Sequence, residues 1–326
     1  MAVALRPVTA TPAAVTPLAR MAADVRKGLL HKPPYLPSKY FYDDTGSALF
    51  ELITSQPEYY QTRTEERLLA EVIEDVIERA RAEEIIELGS GAGRKIRTVL
   101  DAQRRAGRPL ALTFFDINRA FVSGSLHRLS AQYPGIDLKG IVGDFTHDLA
   151  VLGRGGNRLA VLFAGTIGNL HPEEMAWFLE RLAAQLLPGD CFLVGVDLVK
   201  DPRVLEAAYN DAQGVTAAFN VNILDHINRE LNADFDTSRF MHVAFWNPRR
   251  QWIEMRLRAI APSRVRIQDS WLDLRFATGD SVRTEISCKY SRDTFADRLT
   301  MTPFAIEQWY EDGERLFALA LLRRMR

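Results

Sequence analysis

Cysteine is scarce in this chain: Cys191 and Cys288 are the only two among 326 residues. Two thiols so far apart in sequence do not make a disulfide framework, so a reducing compartment and a cytoplasmic location are expected. Charge of one sign is lacking as well, with 41 Lys and Arg against 42 Asp and Glu and a net charge of −1. That balance leaves no electrostatic footprint for nucleic acid and no lysine-rich surface for a membrane. No apolar stretch is long enough to span a bilayer. His31, His127, His147, His171, His226 and His242 show no ligand spacing, so no protein-bound metal is expected. Internal repeats are absent. Residues Met1–Ala22 carry Pro, Thr and Ala but no apolar h-region, so a mobile tail is expected there rather than a signal peptide. The remaining composition, 47% apolar and 25% charged, is that of a soluble globular protein, and a monomer is expected.

The most informative stretch is Glu87-Leu-Gly-Ser-Gly-Ala-Gly93. It lies between Glu83–Glu87, expected to be a short buried strand, and the start of a helix, Arg94–Leu100. A strand, a glycine turn and a helix bring backbone N–H groups up to a ligand at a helix N-terminus, which makes Gly89, Ser90 and Gly91 candidate cofactor contacts. The spacing is not the G-x-G-x-x-G of a dinucleotide site. Asp116 follows a second strand, Leu110–Phe115, and its carboxylate can accept both hydroxyls of a ribose. Asp144 follows a third, Leu138–Val142; it can accept from an adenine amino group while Phe145 stacks on the base. In the competing reading both acids only cap turns at strand ends. The ordered set resembles the S-adenosylmethionine (SAM) site of Rossmann-type methyltransferases.

From 84 to 198 strands and helices alternate, which implies an α/β fold with a parallel doubly wound sheet. Residues 64–84 are expected to form an amphipathic helix capped by Thr64, with Leu68, Leu69, Val72, Ile73, Val76, Ile77 and Ala80 on one stripe. After Asp197 the pattern changes. Asp201–Leu231 is mainly helical, opening on the cap pair Asp201-Pro202. Strands are expected at Phe240–Phe245 and Trp252–Ile260, and two more, Leu272–Phe276 and Val282–Cys288, flank a turn at Ala277–Asp280. A helix over Ser291–Met301 and a hairpin of Phe304–Tyr310 with Leu316–Leu322 close the sheet with an antiparallel pair. The expected organisation is a tail (1–22), an N-terminal arm belonging to a substrate domain (23–62), a SAM-binding domain (63–199), an inserted α+β substrate-binding domain (200–288) and the C-terminal part of the SAM-binding domain (289–326). Ligands are expected in the crevice between the two domains.

Several segments resemble one family, the L-histidine Nα-methyltransferases of ergothioneine biosynthesis. They are Lys39–Glu51, Gln56–Arg63, Thr166–Leu170, Asp197–Pro202, Tyr209–Asn220 and Arg283–Lys289, and their order and spacing match over roughly residues 30–322. The resemblance implies a SAM-dependent enzyme that methylates histidine three times to hercynine, releasing S-adenosylhomocysteine. It implies cofactor contacts at Tyr42, Gly89, Lys95, Asp116, Asp144 and Phe145, and histidine contacts at Tyr59, Asn169, Tyr209, Met255, Glu285 and Ser287. The chain departs from the family at Phe163-Ala-Gly165, where many relatives carry a Gly-Ser pair.

These residue types suit the chemistry. The nucleophile is a neutral amine, and a free α-amino group has a pKa of about 7.7–8.0, so positioning matters more than a strong base. Tyr42 is expected to border the reacting amine. Asn169 and Tyr209 can hydrogen-bond the α-carboxylate. Glu285 and Ser287, two apart in a strand, share a face and can hold the imidazole, a carboxylate that an apolar ring would leave unpaired; Tyr59 can hold the ring's other side. Bland readings compete: Tyr59, Tyr209 and Met255 as core, Asn169 as a turn residue, Glu285 paired with Arg283 or Lys289 on a solvated strand. Methylation of another aromatic amino acid, an NAD(P)-linked oxidoreductase and a silent SAM sensor are the alternative functions.

Overall fold

The structure is a computed structural model that describes residues 8–9, 16–89, 91 and 93–325. In chain order, β1 (Val8–Thr9) precedes α1 (Pro17–Leu30), α2 (Asp44–Thr54) and α3 (Tyr60–Ala80). An alternating run follows: β2 (Glu84–Leu88), α4 (Arg94–Arg105), β3 (Ala111–Asp116), α5 (Arg119–Gln132), β4 (Asp137–Val142) and β5 (Arg158–Leu162). It continues with α6 (Pro172–Ala183) and β6 (Cys191–Asp197). Next come α7 (Pro202–Ala207), α8 (Val215–Glu230), β7 (Phe240–Asn247), β8 (Trp252–Ala259), β9 (Ser263–Ile267), β10 (Leu272–Phe276) and β11 (Ser281–Cys288). The chain ends with α9 (Arg292–Leu299), β12 (Phe304–Glu311) and β13 (Phe317–Arg324). It divides into two compact units, one of residues 1–10, 61–199 and 289–326, the other of 11–60 and 200–288.

The first unit holds an eight-stranded sheet in the order β1-β4-β3-β2-β5-β6-β13-β12. Its strands are parallel from β1 to β6, and β13 and β12 complete it antiparallel. Central strands read as unbroken apolar runs because helices cover both faces: all seven residues of β6 are buried. On one face Leu68, Leu69, Ile73 and Val76 of α3 join Ile96 and Val99 of α4 and Val122 and Leu126 of α5 in one core against Ile85, Phe114 and Leu193. On the other, Phe178 of α6 meets Phe192 edge-on at 6.2 Å and Phe295 of α9 packs on Trp309 at 5.7 Å. Strand order reverses between β2 and β5, the switch point at whose carboxyl ends ligands of such sheets sit.

The chain leaves this unit after β6 and returns just before α9, and the two crossings are tied together. Leu198 bridges Tyr290 in parallel. The Val199 N–H donates to the Tyr290 carbonyl and the Tyr290 N–H to the Asp197 carbonyl, each at 3.0 Å. Lys289 Nζ lies 2.7 Å from Asp197 Oδ2, with side-chain exposures of 0% and 3%.

The second unit combines a three-stranded antiparallel sheet, β11-β8-β7, with the pair β10-β9 and the helices α1, α2, α7 and α8. Phe219 of α8 packs on Phe41 at 4.5 Å.

Several expectations need correction. Within the expected tail, Val8–Thr9 pair with β4 as β1, and residues 17–22 are the first turns of α1, where Met21 is buried. Thr64 is no cap: α3 starts at Tyr60, and Thr64 is buried within it. The 201–231 stretch breaks in two, because the Asp211 carboxylate accepts the Val215 and Thr216 N–H groups at 2.8 and 2.7 Å and starts α8 afresh. Strands β10 and β11 flank the turn at Ala277–Asp280 as expected but do not pair with each other. Instead β10 pairs with β9, an element the sequence reading omitted, and β11 with β8. The alternating polar residues of Ser263-Arg-Val-Arg-Ile267 are exposed on one side, a half-buried pattern easily lost among loop residues. Both cysteines are free and buried.

Candidate functional site

The glycine turn follows β2 at the switch point. Gly89, Gly91 and Gly93 all have positive φ, 77°, 46° and 68°, a region that strains any residue with a Cβ. A Cβ on Gly91 would meet nothing within 4 Å, so backbone conformation rather than crowding calls for glycine there. Gly93 starts α4 with no side-chain cap, which leaves first-turn N–H groups directed beyond the helix. Ser90 lies outside the described residues.

Asp116 closes this turn from the end of β3. Its Oδ2 accepts the Gly91 N–H at 2.9 Å and its Oδ1 the Asn118 N–H at 2.8 Å. Asp144, after β4, accepts the Thr146 N–H at 2.9 Å and hydroxyl at 2.5 Å, and lies 3.1 Å from His147 Nδ1. Both acids therefore make the turn-capping contacts of the competing reading, and Asp116 does so within the glycine turn itself. Phe145 Cε1 lies 3.6 Å from where a Gly89 Cβ would be, and its ring stands edge-on to Phe178 at 5.9 Å. Asp116, Phe145 and the glycines thus converge.

Lys95 sits in the first turn of α4, its ammonium ion-paired with Glu65 and 5.9 Å from the Phe163 ring centre. Glu65 was not anticipated, although it lies three and four residues before Leu68 and Leu69, on the apolar stripe of α3. An acid on such a stripe is a signal for a buried charge. Glu65 is fully buried, and Oε2 also accepts the Ala164 N–H at 2.7 Å. Burial raises its pKa more than the Lys95 charge lowers it. A Cβ on Gly195 would lie 2.0 Å from Glu65 Oε1, so glycine in β6 makes room for this carboxylate. Glu87, at the end of β2, is held well above the usual carboxylate range by burial and then by the charge of Asp116. Ala164 has φ 62°, left-handed for a residue with a Cβ, and the Glu65 bond holds it there. Ala164 and Gly165 lead into the turn Thr166–Asn169, whose last residue, Asn169, is half-buried.

The remaining candidates lie in the second unit. Glu285 of β11 pairs with Met255 of β8, and Ser287 with Ile253, so Glu285 and Ser287 share a face as expected. Tyr209 lies in the turn after α7, not on a helix. Its hydroxyl donates to Ser287 Oγ at 2.7 Å, both side chains being buried. Tyr209, Ser287, Glu285 and Met255 are thus one cluster. Tyr42 and Tyr59 flank Phe50 edge-on at 5.6 and 6.2 Å, and Tyr42 also meets Phe219 at 5.8 Å. Phe219 of α8 joins the aromatic group, and the next residue, Asn220, accepts the hydroxyl of Thr284, the neighbour of Glu285 in β11.

Among the described residues no group of His, Cys, Asp and Glu can hold a metal ion, and no helix is long and apolar enough to cross a membrane.

Residues 21–324 match the family described as histidine-specific methyltransferase, SAM-dependent. The histidine N-alpha-methyltransferase of Mycolicibacterium smegmatis is 44% identical over 301 residues, covering 92% of this chain and 94% of the relative. That of Mycobacterium tuberculosis is 42% identical over 298 residues, covering 91% and 93%. Ergothioneine biosynthesis protein 1 of Neurospora crassa is 29% identical over 273 residues, which are 77% of this chain and 30% of that longer protein.

Proposed function

The chain belongs to the SAM-dependent histidine-specific methyltransferases, and from that premise we infer that it carries the α-amino group of L-histidine through three methylations to hercynine. Methylation of histidine at the α-nitrogen from SAM is the family's reaction. Completion to the trimethylated betaine, and the residue roles below, are our reading.

When bound, SAM supplies an electrophilic methyl on a sulfonium sulfur. In the chain, the uncapped N-terminus of α4 and the positive-φ glycines suit a closely approaching polar ligand. Asp116 takes the ribose, Asp144 with Phe145 the adenine, Lys95 a carboxylate, and Tyr42 completes the cofactor contacts. Asn169 and Tyr209 hold the substrate carboxylate. Glu285, Ser287, Met255 and Tyr59 hold the imidazole. The amine needs its lone pair aligned with the methyl and a route for its proton, and the Tyr42 hydroxyl orients it. Holding the reacting atoms in line is worth up to about 7–11 kcal/mol, so no strong base is required.

The observation that carries the substrate reading is the Tyr209–Ser287–Glu285–Met255 cluster, a carboxylate beside a hydroxyl pair on one sheet face. Mass spectrometry of the product from histidine and SAM tests the reaction, with a gain of three methyl groups expected. A product that stops at one or two methyls overturns trimethylation, and better turnover of tryptophan or tyrosine overturns the substrate. Glu285→Gln is expected to raise the histidine KM by about 10–100-fold, the effect of losing a charged hydrogen bond, while leaving the SAM KM in place. An unmoved histidine KM would remove Glu285 from recognition.

A further inference from the structure

Asn220 is buried in α8 with 0% exposure, and both its amide nitrogen and its amide oxygen have partners on the strands and turn that carry the recognition residues. Nδ2 lies 3.0 Å from the Arg256 carbonyl and 2.8 Å from His242 Nδ1, and Oδ1 lies 2.6 Å from Thr284 Oγ1. The proton positions follow from one fact: a carbonyl oxygen only accepts. The Arg256 carbonyl fixes the amide nitrogen toward itself, so Oδ1 faces Thr284 and accepts its hydroxyl. His242 Nδ1 then faces an N–H and must accept. Its proton resides on Nε2, which donates to the Tyr209 carbonyl at 2.9 Å. Burial lowers the pKa of His242 and favours the neutral ring that this chain of bonds requires.

Two of these contacts act on residues assigned above to substrate recognition. Thr284 is the extra residue of a β-bulge: Arg283 pairs with Arg256 and Glu285 with Met255. In an unbroken register Thr284 would face Met255, and Glu285 would face Glu254. Side chains alternate along a strand, so a slip of one residue moves a side chain to the other face. Bulges are a means of re-aiming one. The Thr284–Asn220 bond pins that bulge, and the Asn220–His242–Tyr209 chain pins the turn that carries the Tyr209 hydroxyl onto Ser287. Among the described residues, none of Gly89, Gly91 and Gly93 hydrogen-bonds to Asn220, Thr284 or His242.

We propose that Asn220, through Thr284 and His242, is a positioning residue that sets histidine recognition by fixing Glu285 on the Met255 face and Tyr209 on Ser287. This rests on the assignment of Glu285, Ser287 and Tyr209 to the substrate. Thr284→Val keeps the side chain's shape and removes the hydroxyl donor. It is expected to raise the histidine KM about tenfold, the scale of one buried hydrogen bond, with the SAM Kd from calorimetry unchanged, and Thr284→Ser restores the parent value. A histidine KM unchanged in Thr284→Val, or one raised together with the SAM Kd, overturns the proposal. If Glu285→Gln raises the histidine KM and Thr284→Val does not, the network fails while the substrate reading stands. If Glu285→Gln also has no effect, the substrate reading is what fails. A second measurement needs no variant beyond an assignment control: in the ring ¹⁵N spectrum of the folded protein, His242 should carry its single proton on Nε2 at neutral pH. A proton on Nδ1, alone or with Nε2, overturns the hydrogen-bond chain directly.

Discussion

Replacing Lys289 with Met is expected to destabilise the first unit by about 3–5 kcal/mol, the usual cost of removing one partner from a buried ion pair. Lys289 and Asp197 have side-chain exposures of 0% and 3% at a separation of 2.7 Å, so the variant leaves a buried carboxylate without the Lys289 counter-charge. Gln61 Nε2, which donates to the same oxygen at 3.5 Å, carries no charge to replace the ammonium. Urea or thermal unfolding reads the loss. The double variant Asp197→Asn, Lys289→Met removes both charges and is expected to recover much of it, since neutral replacement of a whole pair is often close to neutral in stability. A single-variant loss under about 1 kcal/mol, the range of an exposed pair, would show that the pair contributes little.

Asp116→Ala is expected to weaken SAM binding by about 100-fold, measured by calorimetry. The carboxylate accepts the Gly91 and Asn118 N–H groups at 2.9 and 2.8 Å, and hydrogen bonds to a charged group are worth about 1.5–3 kcal/mol each. Truncation therefore removes the assigned ribose anchor and also frees the glycine turn, so that ordering it opposes binding. Asp116→Asn, which keeps one oxygen but turns an amide N–H₂ toward a backbone donor, should fall between the two. Undiminished affinity in Asp116→Ala would leave the acid with only its turn-capping role.

The parallel strands β2 to β6 were legible in the sequence because each is a short run bounded by turn residues within an alternation with helices, whereas β1, a two-residue strand inside the expected tail, was not. The placement of Gly89, Asp116 and Phe145 near one another was legible for the same reason: they stand at strand ends, where a side chain's neighbourhood follows from topology. The inserted segment was harder. Its strands at Leu272–Phe276 and Val282–Cys288 were legible, but their partners, β9 and β8, were not, because strand partners in antiparallel sheets depend on packing that local pattern does not encode. Thr284, Asn220 and His242 escaped for a related reason. Each is an ordinary polar residue in its own segment, and only long-range contacts give it partners. Glu65 differs, since its place on the apolar stripe of α3 marked it as buried, and the ammonium waiting at Lys95 is the reason the helix tolerates it.

The last strand of the chain, β13, does not lie at the sheet's edge but between β6 and β12, and Leu319 and Leu321 within it are fully buried. During synthesis β6 is therefore made well over a hundred residues before the segment that zips onto it. Until residue 324 has left the ribosome, β6 carries a row of unsatisfied amides and carbonyls along a greasy flank, the kind of open border that recruits wrong strands. The nascent protein must be guarded over that interval, and a truncation of only the final ten residues would leave it permanently in that state.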